Sequence, residues 1–325
     1  MADTVMPGLE RRLKEHLLGE VNFDAFTRGR YATDASHYQI MPVGVVAPRS
    51  MKEAEHALAL AREEGVSVLP RGAGTSQSGQ TVNSSLVVDC SRHLDHVLAL
   101  DVPGKRCTVE PGIVLDELNR RLRPHGLWFP VDISTASRAT IGGMVGNNSC
   151  GARSLRYGNT RENVLSIDAI LADGLSGHFG PAARDLSDLP MNSPVVPLAR
   201  DLLGIAAANS REIETNFPKV QRRVGGYAGN GQDVGPTPSP RVVLRLIAGL
   251  GSSCTASQRQ LSQASLILSR SSTISMVRIR IGLRHLGQLS MPVPSLITAN
   301  GFLVTILIAP QHWGEHEETK ACKES

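Results

Sequence analysis

The chain has 325 residues, with 34 Lys+Arg against 30 Asp+Glu for a formal charge of +4, and 41% hydrophobic residues, enough for about two domains with buried cores. Aromatic residues make up only 4%, which argues against the stacking surfaces that bind single-stranded nucleic acid. The five cysteines, at 90, 107, 150, 254 and 322, show neither C-x-x-C spacing nor a secreted framework, so reduced thiols are expected, without a disulfide scaffold or an iron–sulfur cluster. In chain order, residues 1–14 include Asp3, Pro7 and Glu10 and no apolar run; no secretory signal is expected, and a cytoplasmic protein is. Ser50-Met51-Lys52-Glu53 has the spacing of a capping box, and Ala54, Ala57, Leu58 and Ala61 recur at helical spacing up to Gly65, which predicts a helix. Residues 66–69 and 86–88 read as short buried strands flanking a first glycine-rich loop, RGAGTSQSGQ, residues 71–80. The run CTVEPG, residues 107–112, predicts a strand entering a turn, and Val114, Leu115, Leu118 and Leu122 form a helical stripe that stops before Pro124 and Gly126. A second glycine-rich segment, TIGGMVGNNSCG, occupies residues 140–151, and residues 164–171 read as a strand. The apolar run at 301–310 is half of the roughly 20 residues that cross a bilayer, so no transmembrane segment is expected.

Both glycine-rich segments combine Gly with small hydroxyl or amide side chains, so that a backbone can approach a ligand closely and turn its N–H groups toward an anion. Two such segments in one chain suggest a long ligand with a diphosphate in its middle, as in a dinucleotide. The nicotinamide-type Rossmann fingerprint does not fit, because its G-x-G-x-x-G opens a helix and has an acidic residue about 20 positions on, whereas Gly72-x-Gly74 runs into polar residues and a strand. His93 and His96 beside Asp95 have metal-like spacing but no third ligand nearby, and His312 and His316 with Glu315 could bind a metal on a helix but lie in the anomalous C-terminal tail, so no metal site is expected. No G-x-S-x-G elbow supports hydrolase chemistry.

The ordered set PRGAGTS, VEPG, FPVD, TIGGMVGNNSCG, RYG and NVLSIDAILADG resembles the PCMH-type FAD-binding domain of the vanillyl-alcohol oxidase and para-cresol methylhydroxylase superfamily. Within it the likeness is to the FAD-linked D-lactate, glycolate and D-2-hydroxyglutarate dehydrogenases, over about residues 45 to 227. The resemblance implies an α+β fold of two subdomains with FAD extended between them. It implies that Arg71, Gly72, Ala73, Gly74, Thr75 and Ser76 wrap the diphosphate and that Pro111 and Gly112 line the cofactor from the other side. Ser137, Thr140, Ile141, Gly142 and Gly143 would hold the ribityl and diphosphate segment, Gly146, Asn147, Asn148 and Gly151 would approach the isoalloxazine, and the backbone near Val164 would meet the adenine end. Thr75 stands where members with a covalent flavin often carry His, and Cys150 reads as a small residue in a glycine turn, so noncovalent FAD is expected. The implied reaction moves a hydride from the Cα of a small 2-hydroxy acid to the flavin; the resemblance leaves the electron acceptor open, and no nucleic-acid partner is expected.

Three regions follow: an N-terminal segment, residues 1–40, an FAD-binding domain, 41–227, and a C-terminal tail, 228–325. After Tyr227 the family's FAD-closing segment and substrate domain are not recognisable. Residues 1–227 hold 25 Lys+Arg and 25 Asp+Glu, so the whole charge of +4 falls in the tail. From 228 to 314 there is one acid, Asp233, against seven Arg and no Lys, with abundant Ser and no helical or strand periodicity, unlike the mixed-sign surface of a folded domain. That pattern fits translation of a GC-rich gene in a shifted frame, or else a divergent or disordered C-terminal region. The fold ought then to end near residue 227. Two functions stay open: an FAD-dependent 2-hydroxy-acid dehydrogenase, and a flavin-binding fragment without turnover. No catalytic residue is assigned.

Overall fold

Two hydrophobic cores organise the chain, each formed where the apolar face of a sheet meets the apolar stripes of helices. The computed structural model describes residues 6–171, 173–183, 185–216, 241–243, 276–285, 296–299 and 302–305. The first core begins with α1 (Pro7–His16), which has Pro in its first turn and buries Leu9 and Leu13. There follow β1 (Glu20–Asn22), α2 (Ala25–Tyr31), β2 (Gly44–Ala47), α3 (Met51–Glu63), β3 (Val68–Arg71) and β4 (Leu86–Asp89). The sheet order is β1-β2-β4-β3, with β2 and β3 parallel to β4 and β1 antiparallel at the edge. Strands β2 and β4 are buried along their whole length, as the continuous apolar runs of a covered parallel sheet require. Helix α3 buries Ala54, Ala57, Leu58 and Ala61 as its spacing predicts. Its cap differs from the expected reciprocal box: Ser50 Oγ accepts from Glu53 N at 3.2 Å, but the Glu53 carboxylate accepts from the Gly19 and Arg49 amides, both at 3.0 Å. Glu53 thereby ties the chain entering β1 to the start of α3.

The chain continues with β5 (Val97–Asp101), β6 (Arg106–Val109), α4 (Leu115–Leu122), β7 (Leu127–Trp128), α5 (Ile141–Asn147), α6 (Ser154–Tyr157), α7 (Thr160–Asn163), β8 (Val164–Ile170), β9 (Ser176–Phe179), β10 (Pro181–Ala183), α8 (Val195–Ala208), α9 (Ser210–Asn216), β11 (Arg241–Val243), β12 (Met276–Gly282) and β13 (Arg284–His285), and the second core is built by residues of β6, α4, β7, α5, β8, β9, β10, α8 and β12 with the segments between them. Leu115, Leu118 and Leu122 of α4 enter this core together with Phe129, Ile141 and Met144. Its antiparallel sheet has the order β5-β6-β12-β8-β9.

The central strand of that sheet, β12, comes from the tail. Ile279 pairs with Val109 on one side and Ile167 on the other, and Ile279 and Ile281 are fully buried. Val277, Ile279 and Ile281 alternate with Arg278 and Arg280, a period-two pattern that makes this stretch an exception to the aperiodic reading of the tail. The compact unit accordingly spans Met1–His285, so the division expected at residue 227 does not coincide with it. A second unit, Leu286–Ser325, contains the antiparallel pair β14 (Leu296–Ala299) and β15 (Phe302–Thr305). His312, His316, Cys254 and Cys322 lie outside the described residues. No helix among the described residues is long and apolar enough to cross a membrane.

A buried carboxylate at β12 tests this architecture. Ile279→Asp is expected to destabilise the folded unit by about 3 kcal/mol or more, read as a lower midpoint of thermal unfolding. A chain ending at residue 243 should show a similar loss; a truncated chain as stable as the full one would remove β12 from the core.

Candidate cofactor site

The first glycine-rich loop leaves β3 at Arg71, whose side chain points inward and is 8% exposed. Arg71 Nη1 donates to the carbonyl oxygens of Tyr31 (2.9 Å) and Thr81 (3.0 Å), and Nη2 donates to that of Thr33 (2.7 Å). The guanidinium carbon lies 5.2 Å from the centroid of the Tyr31 ring, within cation–π range. Tyr31 Oη donates to Asp89 Oδ2 at 2.5 Å. Burial, reinforced by that bond, pushes the Tyr31 phenol up to about 12, so it remains a donor at neutral pH. Residues 33–38 continue along the loop. Ala35 N donates to the Gly74 carbonyl at 3.0 Å, and Thr81 Oγ1 donates to Asp34 Oδ2 at 2.9 Å.

The glycines of the two segments meet other parts of the protein. A Cβ on Gly72 would collide with the Thr140 hydroxyl, so the first loop and the second glycine-rich segment are in direct contact. Gly74 has φ of +67°, and a Cβ there would fall 2.6 Å from Arg71 Nη2. Thr140 is 2% exposed, and its Oγ1 also accepts from Gly143 N at 3.3 Å, capping α5. Gly142 N donates to the Pro111 carbonyl at 2.8 Å and Ile141 N to that of Ile113 at 2.9 Å. The loop, the turn at Pro111 and Gly112, and the start of α5 are thus packed together, with Pro111, Gly112, Thr140 and Ile141 buried and the Gly112 amide donating to the Leu94 carbonyl at 2.7 Å.

Several residues expected to touch a ligand instead direct their polar groups into the protein. They are the Arg71 guanidinium, the Thr140 hydroxyl, the amides of Ile141 and Gly142, and the Asn148 side chain. Asn148 takes the left-handed conformation at the end of α5, φ +47°, and its Oδ1 accepts from Arg161 N at 3.0 Å, which anchors α7. Gly151 packs against the Asp132 carbonyl, and its amide donates to Ser154 Oγ at 3.0 Å. Val164 opens β8 and is buried. Ser137 and Asn147 are exposed, and Cys150 is half-buried.

Other groups remain available. The amides of Gly72, Ala73, Gly74, Thr75 and Ser76 donate to no acceptor among the described residues. In α5, a Cβ on Gly146 would have nothing within 4 Å, and one on Gly143 would meet only the Thr140 hydroxyl, at 3.2 Å. These two glycines are three apart and share one helix face. Consecutive free amides suit a diphosphate, and an open glycine face leaves room for a flat ring. The residues present fit a flavin dinucleotide. Sequence reasoning missed residues 31–38, whose signal, the run YATDASHY, has no recognisable period. It also missed Trp128, which meets Tyr157 edge-on at 5.6 Å and Arg153 at 5.1 Å.

Residues 42–178 match the family described as FAD binding domain. This segment is an FAD-binding domain. The chain is 36% identical over 217 residues to a D-2-hydroxyglutarate dehydrogenase of Pseudomonas putida, an alignment covering 64% of this chain and 21% of that protein. It is 36% identical over 188 residues to glycolate oxidase subunit GlcD of Bacillus subtilis, covering 55% and 40%. An alkyldihydroxyacetonephosphate synthase structure aligns with a TM-score of 0.49 and 24% identity over 52% of this chain and 34% of that one. The chain therefore spans about a fifth of the dehydrogenase and two fifths of the oxidase subunit. FAD is the cofactor of the domain, and its fold is the α+β fold of two cores described above.

The glycine contacts separate two kinds of position in the FAD-binding domain. Gly72→Val is expected to lower the unfolding midpoint of the FAD-free protein, because the new side chain must displace Thr140. Gly146→Ala should hold or raise it, since Ala is favoured over Gly within a helix by up to about 1 kcal/mol. Equal effects at both positions would show that the contact with Thr140 is not a packing constraint.

Proposed function

We propose that the chain holds FAD noncovalently across the surface formed by its two glycine-rich segments, and that it is the flavin-bearing part of an oxidoreductase acting on small D-2-hydroxy acids in the cytoplasm. The observation that carries this reading is the row of five free amides at residues 72–76, set against the open face of α5. Bound FAD supplies the acceptor for the hydride of a substrate Cα–H bond. The amides of Gly72, Ala73, Gly74, Thr75 and Ser76 would hold the diphosphate, and the buried turn at Pro111 and Gly112 would support the site from the other side. Thr140 orders the first turn of α5, and through it Gly143 and Gly146 would lie beside the ribityl chain and ring, with Ser137, Asn147 and Gly151 at the rim. The backbone near Val164 would meet the adenine end. Arg71, Ile141, Gly142 and Asn148 shape this surface through the internal bonds described above.

The noncovalent assignment follows from Thr75, which offers no imidazole to the flavin, and the substrate class follows from the dehydrogenase and oxidase subunit to which the chain is similar. The two glycine-rich segments of the region 41–227 would supply the cofactor surface, and β12 from the tail pairs with β6 and β8 in the sheet of the second core. The electron acceptor and the catalytic base are left unassigned.

Two measurements test the proposal. After denaturation and centrifugation, all FAD is expected in the supernatant; flavin retained on the precipitate would overturn noncovalent binding. Under anaerobic conditions, D-2-hydroxyglutarate, D-lactate or glycolate is expected to bleach the bound flavin, and L-lactate is not. Bound flavin that none of the D-acids or glycolate reduces would overturn the substrate class and leave a flavin-holding protein without turnover.

A further inference from the structure

We propose that Arg71 is the positioning residue of the cofactor site, acting by pinning residues 31–35, which lie upstream of the matched domain, beneath the first glycine-rich loop. The inference rests on reading residues 72–76 as the diphosphate loop. Arg71 stands at the start of that loop and bonds the carbonyl of Thr81 at its far end, so one side chain closes a ten-residue, glycine-rich segment. Such a segment is entropically costly to order. Its other two bonds reach Tyr31 and Thr33, which are thereby held against the loop.

The held strap then sets the direction of an amide. Ala35 N donates to the carbonyl of Gly74, and in a planar trans peptide the C=O of residue 74 and the N–H of residue 75 point in opposite directions. A Gly74 carbonyl turned toward the strap therefore turns the Thr75 amide away from it, toward the free side of the loop. Two further contacts run the same way: Thr81 Oγ1 to Asp34, and the Tyr38 ring against Gly79, where a Cβ would lie 2.6 Å from Tyr38 Cδ2. Gly74 itself is required by this arrangement, because the Arg71 guanidinium lies where its side chain would be. Arg71 thus contributes preorganisation of the donors, and the strap becomes a built part of the FAD site.

The experiment uses the full chain stripped of FAD, with affinity read by quenching of flavin fluorescence and strap order read by trypsin cleavage after the exposed Arg30. Leu122→Ala, in the second core, is the control for simple destabilisation. Arg71→Met is expected to weaken FAD binding by about tenfold or more, Arg71→Lys by less, and Leu122→Ala not at all, even with a matched fall in unfolding midpoint. FAD should slow cleavage after Arg30 in the unaltered chain, since coupling between strap and ligand is reciprocal, and should fail to do so in Arg71→Met. If Arg71→Met does not fold, Thr81→Val, which removes only the hydroxyl bonded to Asp34, is expected to weaken FAD binding by about threefold. Arg71→Met that weakens binding no more than Leu122→Ala overturns the inference, as does FAD that leaves cleavage after Arg30 unchanged in the unaltered chain. Gly146→Val probes the site reading separately. If it weakens FAD binding while the Arg71 variants do not, the positioning role fails and the site stands; if neither acts, the site assignment fails with it.

Discussion

The absence of one side chain sets the geometry of this protein: with no Cβ on Gly72, the Thr140 hydroxyl packs directly against the first loop. The two partners belong to different cores. Gly72 follows β3 of the four-stranded sheet, whereas Thr140 caps α5, which is anchored by Ile141 and Met144 in the other core. Their contact brings the two glycine-rich segments onto one surface. The same hydroxyl orders the amide of Gly143, so a single buried group both joins the loops and starts the helix whose face stays open.

Glycine has two separate uses in this site. Gly72, Gly74, Gly142 and Gly151 are small because protein atoms occupy the space a side chain would need, and Gly146 is small where nothing does. The first kind builds the surface, and the second leaves it free. The distinction matters for variants, since a substitution of the first kind acts on the fold before any ligand is present. Arg71 belongs with the builders. Its charge is met by three carbonyl dipoles and the face of Tyr31, an arrangement suited to the planar fork of a guanidinium and not to an ammonium.

The second core depends on a strand far away in sequence. Without β12, strands β6 and β8 would each present an unpaired edge in the middle of the sheet, and the apolar faces around Val109 and Ile167 would lose Ile279. Edges of that kind are costly when buried and prone to association when exposed. Val277, Ile279 and Ile281 alternate with arginines, but they lie among acid-poor, serine-rich residues whose composition is unlike a folded domain, and from sequence the whole tail reads as aperiodic.

Local patterns in the sequence determined several of the regular elements. The helical stripes of α3 and α4, the apolar runs of β3 and β4, and the turn at Pro111 and Gly112 follow from spacing, because each depends on residues a few positions apart. The two glycine-rich segments were legible for the same reason, and with them the class of cofactor. The direction taken by each polar group was not legible. Arg71 meets carbonyls about 40 residues upstream and 10 downstream, Asn148 turns to the amide of Arg161, and Glu53 reaches back to Gly19. Only the tertiary structure decided these, because a donor bonds whichever acceptor the packed chain brings within about 3 Å, and that proximity is created by the two cores and by the strand that the tail inserts between β6 and β8.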